Sequence, residues 1–133
     1  MKKCNKFYCT ACPFIEECQS VNANKFTWNI SENVNCETYN IVYMIHCDKD
    51  NCKQKYIGES FRTLKERLSE HRGYINNRKL KTATGFHFNQ PGHSISNLKI
   101  SIIENVTGFA VHKIIDMQLS LFLFRYWIRP FYW

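Results

Sequence analysis

Residues 39–72, YNIVYMIHCDKDNCKQKYIGESFRTLKERLSEHR, decide the fold of this chain. An apolar run from Ile41 to Ile45 and a second short run at Tyr56–Gly58 each predict a strand. The turn between them is rich in Asp and Asn, which predicts an antiparallel hairpin. Ser60 is expected to cap a helix that runs to about Asn76.

The predicted helix follows the hairpin and carries both apolar and basic residues. Leu64 and Leu68 are expected on its buried side, and Arg67 and His71 lie one turn apart on one face. Tyr43 and the tyrosine of the second run lie on paired strands. Two tyrosines that face an Arg/His pair make a plausible site for handling phosphate.

Hydrolysis of a phosphodiester needs an activated water, a cation near the developing charge and help for the leaving oxygen. Nearby cations lower the pKa of a tyrosine from its reference value of ~10 and make its phenolate a usable base. Arg67 could contact a phosphate through two N–H groups. The alternative is that the tyrosines only pack in the sheet and that Arg67 is a solvated helix charge.

The rest of the chain predicts a small α/β domain. Residues 1–35 look like loop, apart from a short strand at 26–30. A helical turn is expected at 82–88, a third strand at Leu98–Glu104 and a last helix at Ala110–Ile128. The predicted order is strand, strand, helix, strand, helix, with a Cys-rich N-terminal extension.

The length of 133 residues predicts one domain, 37–133, and a small extension, 1–36. A net charge of +7 favours a polyanionic partner, most simply nucleic acid, although a basic protein without such a partner remains an alternative. No secretory signal and no apolar stretch of membrane-spanning length are present. We therefore expect a nuclear or cytoplasmic protein with no membrane contact and no small-molecule substrate.

Seven cysteines without a secretory signal favour a reducing compartment and thiolate metal ligands, with free thiols as the alternative. Cys9-x2-Cys12 is the common half of a zinc site, and it can also serve a redox pair. Cys4 and Cys18 flank it. The sequence leaves open whether these four cysteines bind a metal.

A second candidate metal set combines two cysteines on the hairpin with two histidines around a Gln-Pro-Gly turn. Two thiolates and two imidazoles are a known tetrahedral zinc set. Together they would tie the loop after the first helix to the hairpin, in a structural role. The alternative is that the histidines are solvated loop residues. The four are Cys47, Cys52, His87 and His93.

The motifs Ile-Val-Tyr, Tyr-Ile-Gly and LKERLSEHR resemble the GIY-YIG endonuclease domain. The closer resemblance is to the form found in Penelope-like retroelement proteins, which also covers the upstream Cys9–Pro13 run and the segment ATGFHFNQPGHS. It extends from about Cys4 to Ile128. The resemblance implies an α/β fold with a three-stranded antiparallel sheet flanked by helices. One departure is Ile-Val-Tyr in place of Gly-Ile-Tyr, which keeps the tyrosine.

The resemblance also implies roles for individual residues. Tyr43 is the general base, Tyr56 supports the water or the phosphate, Arg67 stabilises the transition state and His71 assists nearby. The two cysteines and two histidines form a structural zinc site. The partner is DNA, nicked during insertion of an element, with Mg²⁺ or Mn²⁺ as the catalytic cation.

Two further departures concern the catalytic cation. The family carries a metal-binding glutamate on its last helix, where this chain has Phe124, and phenylalanine offers Mg²⁺ no oxygen ligand. Asp116 lies about two helical turns away, roughly 12 Å, which is too far to substitute. Glu104 is expected at the solvated end of a strand. The late asparagine of the family lies beyond Trp133.

Two functions therefore remain open from the sequence. The first is a retroelement-derived DNA endonuclease, with catalysis intact or impaired. The second is a zinc-stabilised DNA-binding module that does not cut. Both predict salt-dependent DNA contacts from basic residues around the first helix. The expected DNA-binding residues are Arg62, Lys65, Arg72, Arg78, Lys79 and Lys81.

Overall fold

The computed structural model of the chain describes the residues up to Asn105, with short gaps. The described ranges are 1–23, 26–30, 33–52 and 54–105. The strands in these ranges are β1 (Ser20–Ala23), β2 (Phe26–Asn29), β3 (Ile41–Cys47), β4 (Lys55–Ser60) and β5 (Leu98–Asn105). The α-helices there are α1 (Leu64–Asn76) and α2 (Ala83–His87). Neither is long and apolar enough to cross a membrane.

The main sheet has three antiparallel strands in the order β4–β3–β5. β3 is central and nearly all of its side chains are buried, as its unbroken apolar run requires. Tyr43 pairs with Gly58 of β4, and Ile45 pairs with Tyr56. Because directly opposed residues of paired strands point to the same side, these four share one face of the sheet.

Helix α1 buries Leu64 and Leu68, as the sequence predicts. The prediction that Ser60 caps this helix is wrong. Ser60 is the last residue of β4, paired with Ile41, and the helix begins after Thr63. The Thr63 hydroxyl accepts from the amide of Glu66, which satisfies one of the helix's unpaired N–H groups.

The N-terminal extension is more ordered than a loop. Residues 1–35 contain a short 3-10 helix at Cys12–Phe14 and a hairpin of β1 and β2, of which the sequence predicts only β2. Ile15 forms a parallel bridge with Ile100 of β5, and the Glu16 amide donates to the Ile100 carbonyl. This segment therefore packs on the main sheet.

The order strand, strand, helix, strand is confirmed for residues 41–105, as are the helical turn at α2 and the third strand at β5. Ser101 and Ile103 of β5 are buried, although simple alternation placed them outward. Both faces of β5 are covered, because the N-terminal segment packs on the side opposite α1. The predicted helix at Ala110–Ile128, with Asp116 and Phe124, lies outside the described residues.

Candidate functional site

Tyr43 lies at the centre of a hydrogen-bonded group between β3 and α1. Its side chain is fully buried. Its hydroxyl lies 3.0 Å from Nε of Arg67 and 2.8 Å from Nε2 of His71. The strand and the helix thus bring together three of the residues that the sequence singles out.

Gly58 makes room for this hydroxyl. A Cβ built at Gly58 would lie 2.4 Å from the Tyr43 hydroxyl oxygen and 2.5 Å from its ring carbon Cζ. Any side chain there would displace the tyrosine ring. The glycine of the Tyr-Ile-Gly motif is therefore explained by the position of Tyr43 on the neighbouring strand.

The donors and acceptors of this group form a chain. Arg67 can only donate, so the Tyr43 oxygen accepts from its Nε. In this assignment the Tyr43 hydroxyl donates to Nε2 of His71, which places the ring proton on Nδ1. Nδ1 lies 3.0 Å from the hydroxyl of Thr84 on α2. Thr84 is buried and orients the imidazole, and no feature of the sequence identified it.

Burial controls the protonation of both groups. It raises the pKa of Tyr43 to about 12, although Arg67 acts in the opposite direction. It lowers the pKa of His71 to about 3, and the positive charge of Arg67 adds to that shift. Arg67 thus acts to lower the tyrosine pKa, as expected, but burial outweighs it, so Tyr43 is a phenol and His71 a neutral imidazole at pH 7.

Tyr56 lies on the same face of the sheet as Tyr43, further toward the end of the hairpin. It is buried, and its ring packs edge-on against His87 of α2, with 5.6 Å between ring centroids. Tyr56 thus connects the Tyr43 group to the candidate metal site at the hairpin end.

Arg67 also takes part in an ion-pair group on the surface of α1. Its Nη1 lies 2.5 Å from one carboxylate oxygen of Glu70, and the other oxygen pairs with Arg62. The Tyr74 hydroxyl lies 3.5 Å from Glu70. Sequence reasoning missed Glu70, although its i+3 spacing from Arg67 on a predicted helix was a usable signal.

The structure brings together two cysteines at the hairpin end and two histidines from α2 and the turn that follows. Their ligand atoms all lie within 4.8 Å of one another, so this group could hold a metal ion. Sγ of Cys52 lies 3.5 Å from Nε2 of His87, close to the roughly 3.3–3.8 Å between neighbouring ligands of a tetrahedral zinc ion. The group consists of Cys47, Cys52, His87 and His93.

Two details of the histidines fit metal ligation. Nδ1 of His93 bonds the Pro91 carbonyl, whereas its Nε2 is buried with no hydrogen-bond partner among the described residues. Burial, together with His93, lowers the pKa of His87 to about 4, so His87 is neutral at pH 7. A neutral imidazole has the lone pair that a metal requires.

A second group of four cysteines lies near the N-terminus and is compatible with structural zinc. It combines Cys4, Cys9 and Cys12 with Cys36. Sγ of Cys12 lies 3.5 Å from Sγ of Cys4 and 3.6 Å from Sγ of Cys36. Cys18, the fourth cysteine suggested by spacing, is elsewhere, with its sulfur 3.8 Å from the Ser101 hydroxyl.

The basic residues expected to bind DNA have different surroundings. Lys65 lies over the Tyr8 ring at 5.5 Å, and the Arg72 guanidinium lies over the Phe14 ring at 5.4 Å. Arg62, which lies just before α1, forms an ion pair with Glu70 of that helix. The remaining three are exposed in the loop after α1, and they are Arg78, Lys79 and Lys81.

Two described carboxylates considered for a catalytic Mg²⁺ near Tyr43, Glu70 and Glu104, are poorly placed to hold it. Mg²⁺ is usually held by carboxylates with several waters. Glu70, the carboxylate that bonds Arg67, is engaged by two guanidinium groups. Glu104 lies at the far end of β5, partly exposed and paired with Val42. We therefore assign no chemical step to a divalent cation.

The described residues thus contain a buried Tyr–His–Arg group, an ion-pair group on α1 and two groups that could hold a metal ion. Comparison of the chain with family models, with curated proteins and with solved structures gives no match.

Proposed function

We propose that this chain is a DNA endonuclease domain of the GIY-YIG type, derived from a Penelope-like retroelement. The observation that carries the proposal is the Tyr43 hydroxyl, held by both Arg67 and His71. A phenol, an imidazole and a guanidinium in direct contact can move a proton and neutralise an anion at the same point. Those are two of the requirements for hydrolysing a phosphodiester.

In this proposal the proton moves along the observed hydrogen bond. Tyr43 takes a proton from the attacking water while its own hydroxyl proton passes to Nε2 of His71, which is 2.8 Å away. Arg67 stabilises the negative charge that develops on the phosphate oxygens. Tyr56, on the same face of the sheet, supports the water or the phosphate.

Duplex DNA is the proposed partner because the chain is basic and cations flank α1 on both sides. A helix of 13 residues is roughly 20 Å long, which corresponds to about six phosphates along one DNA strand. Arg62 precedes this span, and the exposed residues Arg78, Lys79 and Lys81 follow it. Binding should weaken steeply with added salt.

We further propose that both metal-binding groups hold structural zinc. Zinc at the hairpin end would fix α2 against β3 and β4, next to Tyr56. Zinc at the N-terminal cysteines would join the start of the extension to its last residue, Cys36, whose carbonyl accepts from the amide of Lys65 in α1. Thiolate ligands of this kind suit the reducing environment of the nucleus or cytoplasm.

Nicking of supercoiled plasmid by the zinc-loaded chain, in Mg²⁺ or Mn²⁺, tests the proposal. We expect cleavage that falls at least about 100-fold in Tyr43→Phe and Arg67→Ala, because each removes a group that acts on the transition state. Lys99→Ala, on β5 and remote from Tyr43, is the matched control for loss of a basic residue. Absence of cleavage by a folded, zinc-loaded sample would contradict the proposal.

The alternative function is a zinc-stabilised DNA-binding module that does not cut. The complete burial of Tyr43 favours it, since a base must reach the attacking water. It predicts salt-dependent DNA binding without turnover, and unchanged affinity in Tyr43→Phe. Measurement of binding and nicking on the same samples separates the two functions.

A further inference from the structure

Two guanidinium groups, that of Arg67 beside Tyr43 and that of Arg62 just before α1, are engaged by one acidic side chain of α1. Glu70 accepts from Nη1 of Arg67 at 2.5 Å through one oxygen and pairs with Arg62 through the other. The Tyr74 hydroxyl lies 3.5 Å from the oxygen that faces Arg67. The Glu70 carboxylate therefore fills an acceptor position between two arginines.

That position has the properties of a phosphate site. A guanidinium binds carboxylate and phosphate in the same way, through planar N–H donors directed at two oxygens. A carboxylate and a phosphodiester each carry one negative charge, so their exchange preserves the local charge balance. Arg67 holds the Tyr43 hydroxyl through Nε at the same time. An anion on its Nη1 is thus close to the proposed reacting group.

We infer that Glu70 occupies, in the DNA-free protein, the site that a DNA phosphate takes, so that DNA must displace its carboxylate. This inference rests on the proposed function, because it concerns the phosphate contact of Arg67. The Glu70 and Arg62 side chains are 29% and 51% exposed, so rotation of Glu70 into water meets little obstruction. Because Glu70 competes for Arg67, a ligand must also bind the other basic residues in order to displace the carboxylate.

Two charge-neutralising substitutions on α1 test the inference. Glu70→Gln removes the competing charge and keeps the side-chain shape. Glu66→Gln, one turn earlier, removes the same charge from a side chain that bonds the helix cap Thr63 instead. Binding of a fluorescein-labelled DNA duplex to the zinc-loaded chain is measured by anisotropy at low and high KCl.

We expect Glu70→Gln to tighten binding at low salt by roughly fivefold, the scale of one partly exposed ion pair. Glu66→Gln should change affinity by less than about twofold at the same salt. The gain in affinity should disappear when Arg67→Gln is added, because the guanidinium that Glu70→Gln makes available to the phosphate is then absent. Glu70→Ala, which removes the side chain altogether, should reproduce the gain.

The outcomes separate this inference from the proposed function. If Glu70→Gln binds no more tightly than Glu66→Gln, or binds more weakly, Glu70 does not compete with phosphate and the inference is overturned. The inference is also overturned if Glu70→Gln still tightens DNA binding in a protein that carries Arg67→Gln. A protein that shows the gain but never nicks DNA keeps the inference and loses the endonuclease. Circular dichroism melts establish that every variant compared is folded.

Discussion

At the scale of single residues, the site depends on how closely Tyr43 fits its surroundings. Its hydroxyl contacts Arg67 and His71, and its ring occupies the space beside Gly58. Sequence motifs identified the tyrosine, the arginine and the histidine. They could not show Thr84 behind His71, because threonine on a short helix has no distinguishing pattern. They also could not show that burial, rather than the nearby cation, dominates the tyrosine pKa.

Substitution of Gly58 by alanine tests this close fit. A methyl group there would lie 2.4 Å from the Tyr43 oxygen, so the ring must move and lose its contacts. We expect a loss of about 1–3 kcal/mol in the free energy of unfolding, the usual cost of overpacking. Gly73→Ala on α1 is the matched control. It has nothing within 4 Å of its added Cβ and should stabilise the helix by about 0.5–1 kcal/mol.

Urea unfolding of the two glycine variants gives both free energies. A Gly58→Ala protein as stable as the parent would show that the Tyr43 ring is not fixed at this position. The same variant should also lose any nicking activity, although it removes no polar group.

His71 should make stability depend on pH. Its pKa is lowered to about 3 by burial, whereas in the unfolded chain it is ~6.5. Between these values the unfolded chain binds the extra proton, so stability falls as pH falls, by up to about 1.4 kcal/mol per unit. Above about pH 6.5 both states are neutral and this contribution is constant.

The measurement is urea unfolding at several pH values for the parent and for His71→Gln. The two proteins share every other titrating group, so the difference between their curves isolates His71. The parent should lose more stability than the variant between about pH 6.5 and about pH 4. Parallel curves would contradict the assigned protonation.

At the scale of elements, apolar patterns predicted β3, β4, α1 and β5 because each has a clear period or a continuous apolar run. The start of α1 was less predictable, since Ser60 and Thr63 are both good caps. Only the pairing of Ser60 with Ile41 in the sheet decides between them. The strand β1 was missed because its four residues, SVNA, carry little β-strand signal.

The candidate N-terminal metal group is formed by cysteines that lie far apart in the sequence and are brought together by the fold. Local spacing grouped Cys18 with Cys4, Cys9 and Cys12 and left their metal binding open, whereas the structure brings in Cys36, 24 residues after Cys12. We expect Cys36→Ser to reduce the zinc content from two ions per chain to one and to lower the melting temperature. Cys18→Ser, a matched control outside the group, should retain two ions.

Zinc is measured by atomic emission after gel filtration, with protein quantified on the same fractions. Equal zinc loss in Cys18→Ser and Cys36→Ser would contradict the assignment of Cys36. Retention of both ions in Cys36→Ser would show that the N-terminal group holds its ion without Cys36. A parent that binds a single ion would show that one of the two groups holds no zinc.

At the scale of the whole molecule, two candidate metal-binding groups lie at separate places around one sheet. One gathers cysteines from the start and the end of the N-terminal extension, and the other brings together the hairpin end, α2 and the turn that follows. Sequence alone suggested both groups, because Cys and His at short spacings stand out. It could not show which distant cysteine completes the first, since that depends on how the extension packs on the sheet.

Cys18 is the one cysteine of the seven that belongs to neither metal-binding group. It borders a cavity of about 180 Å³ with Met44 and Ser101, across the main sheet from Tyr43. If both groups hold zinc as proposed, the other six thiolates are protected as ligands, and a maleimide dye or spin label would attach at this single position. Because the label would lie on the side away from α1, it would leave the proposed DNA-binding surface uncovered.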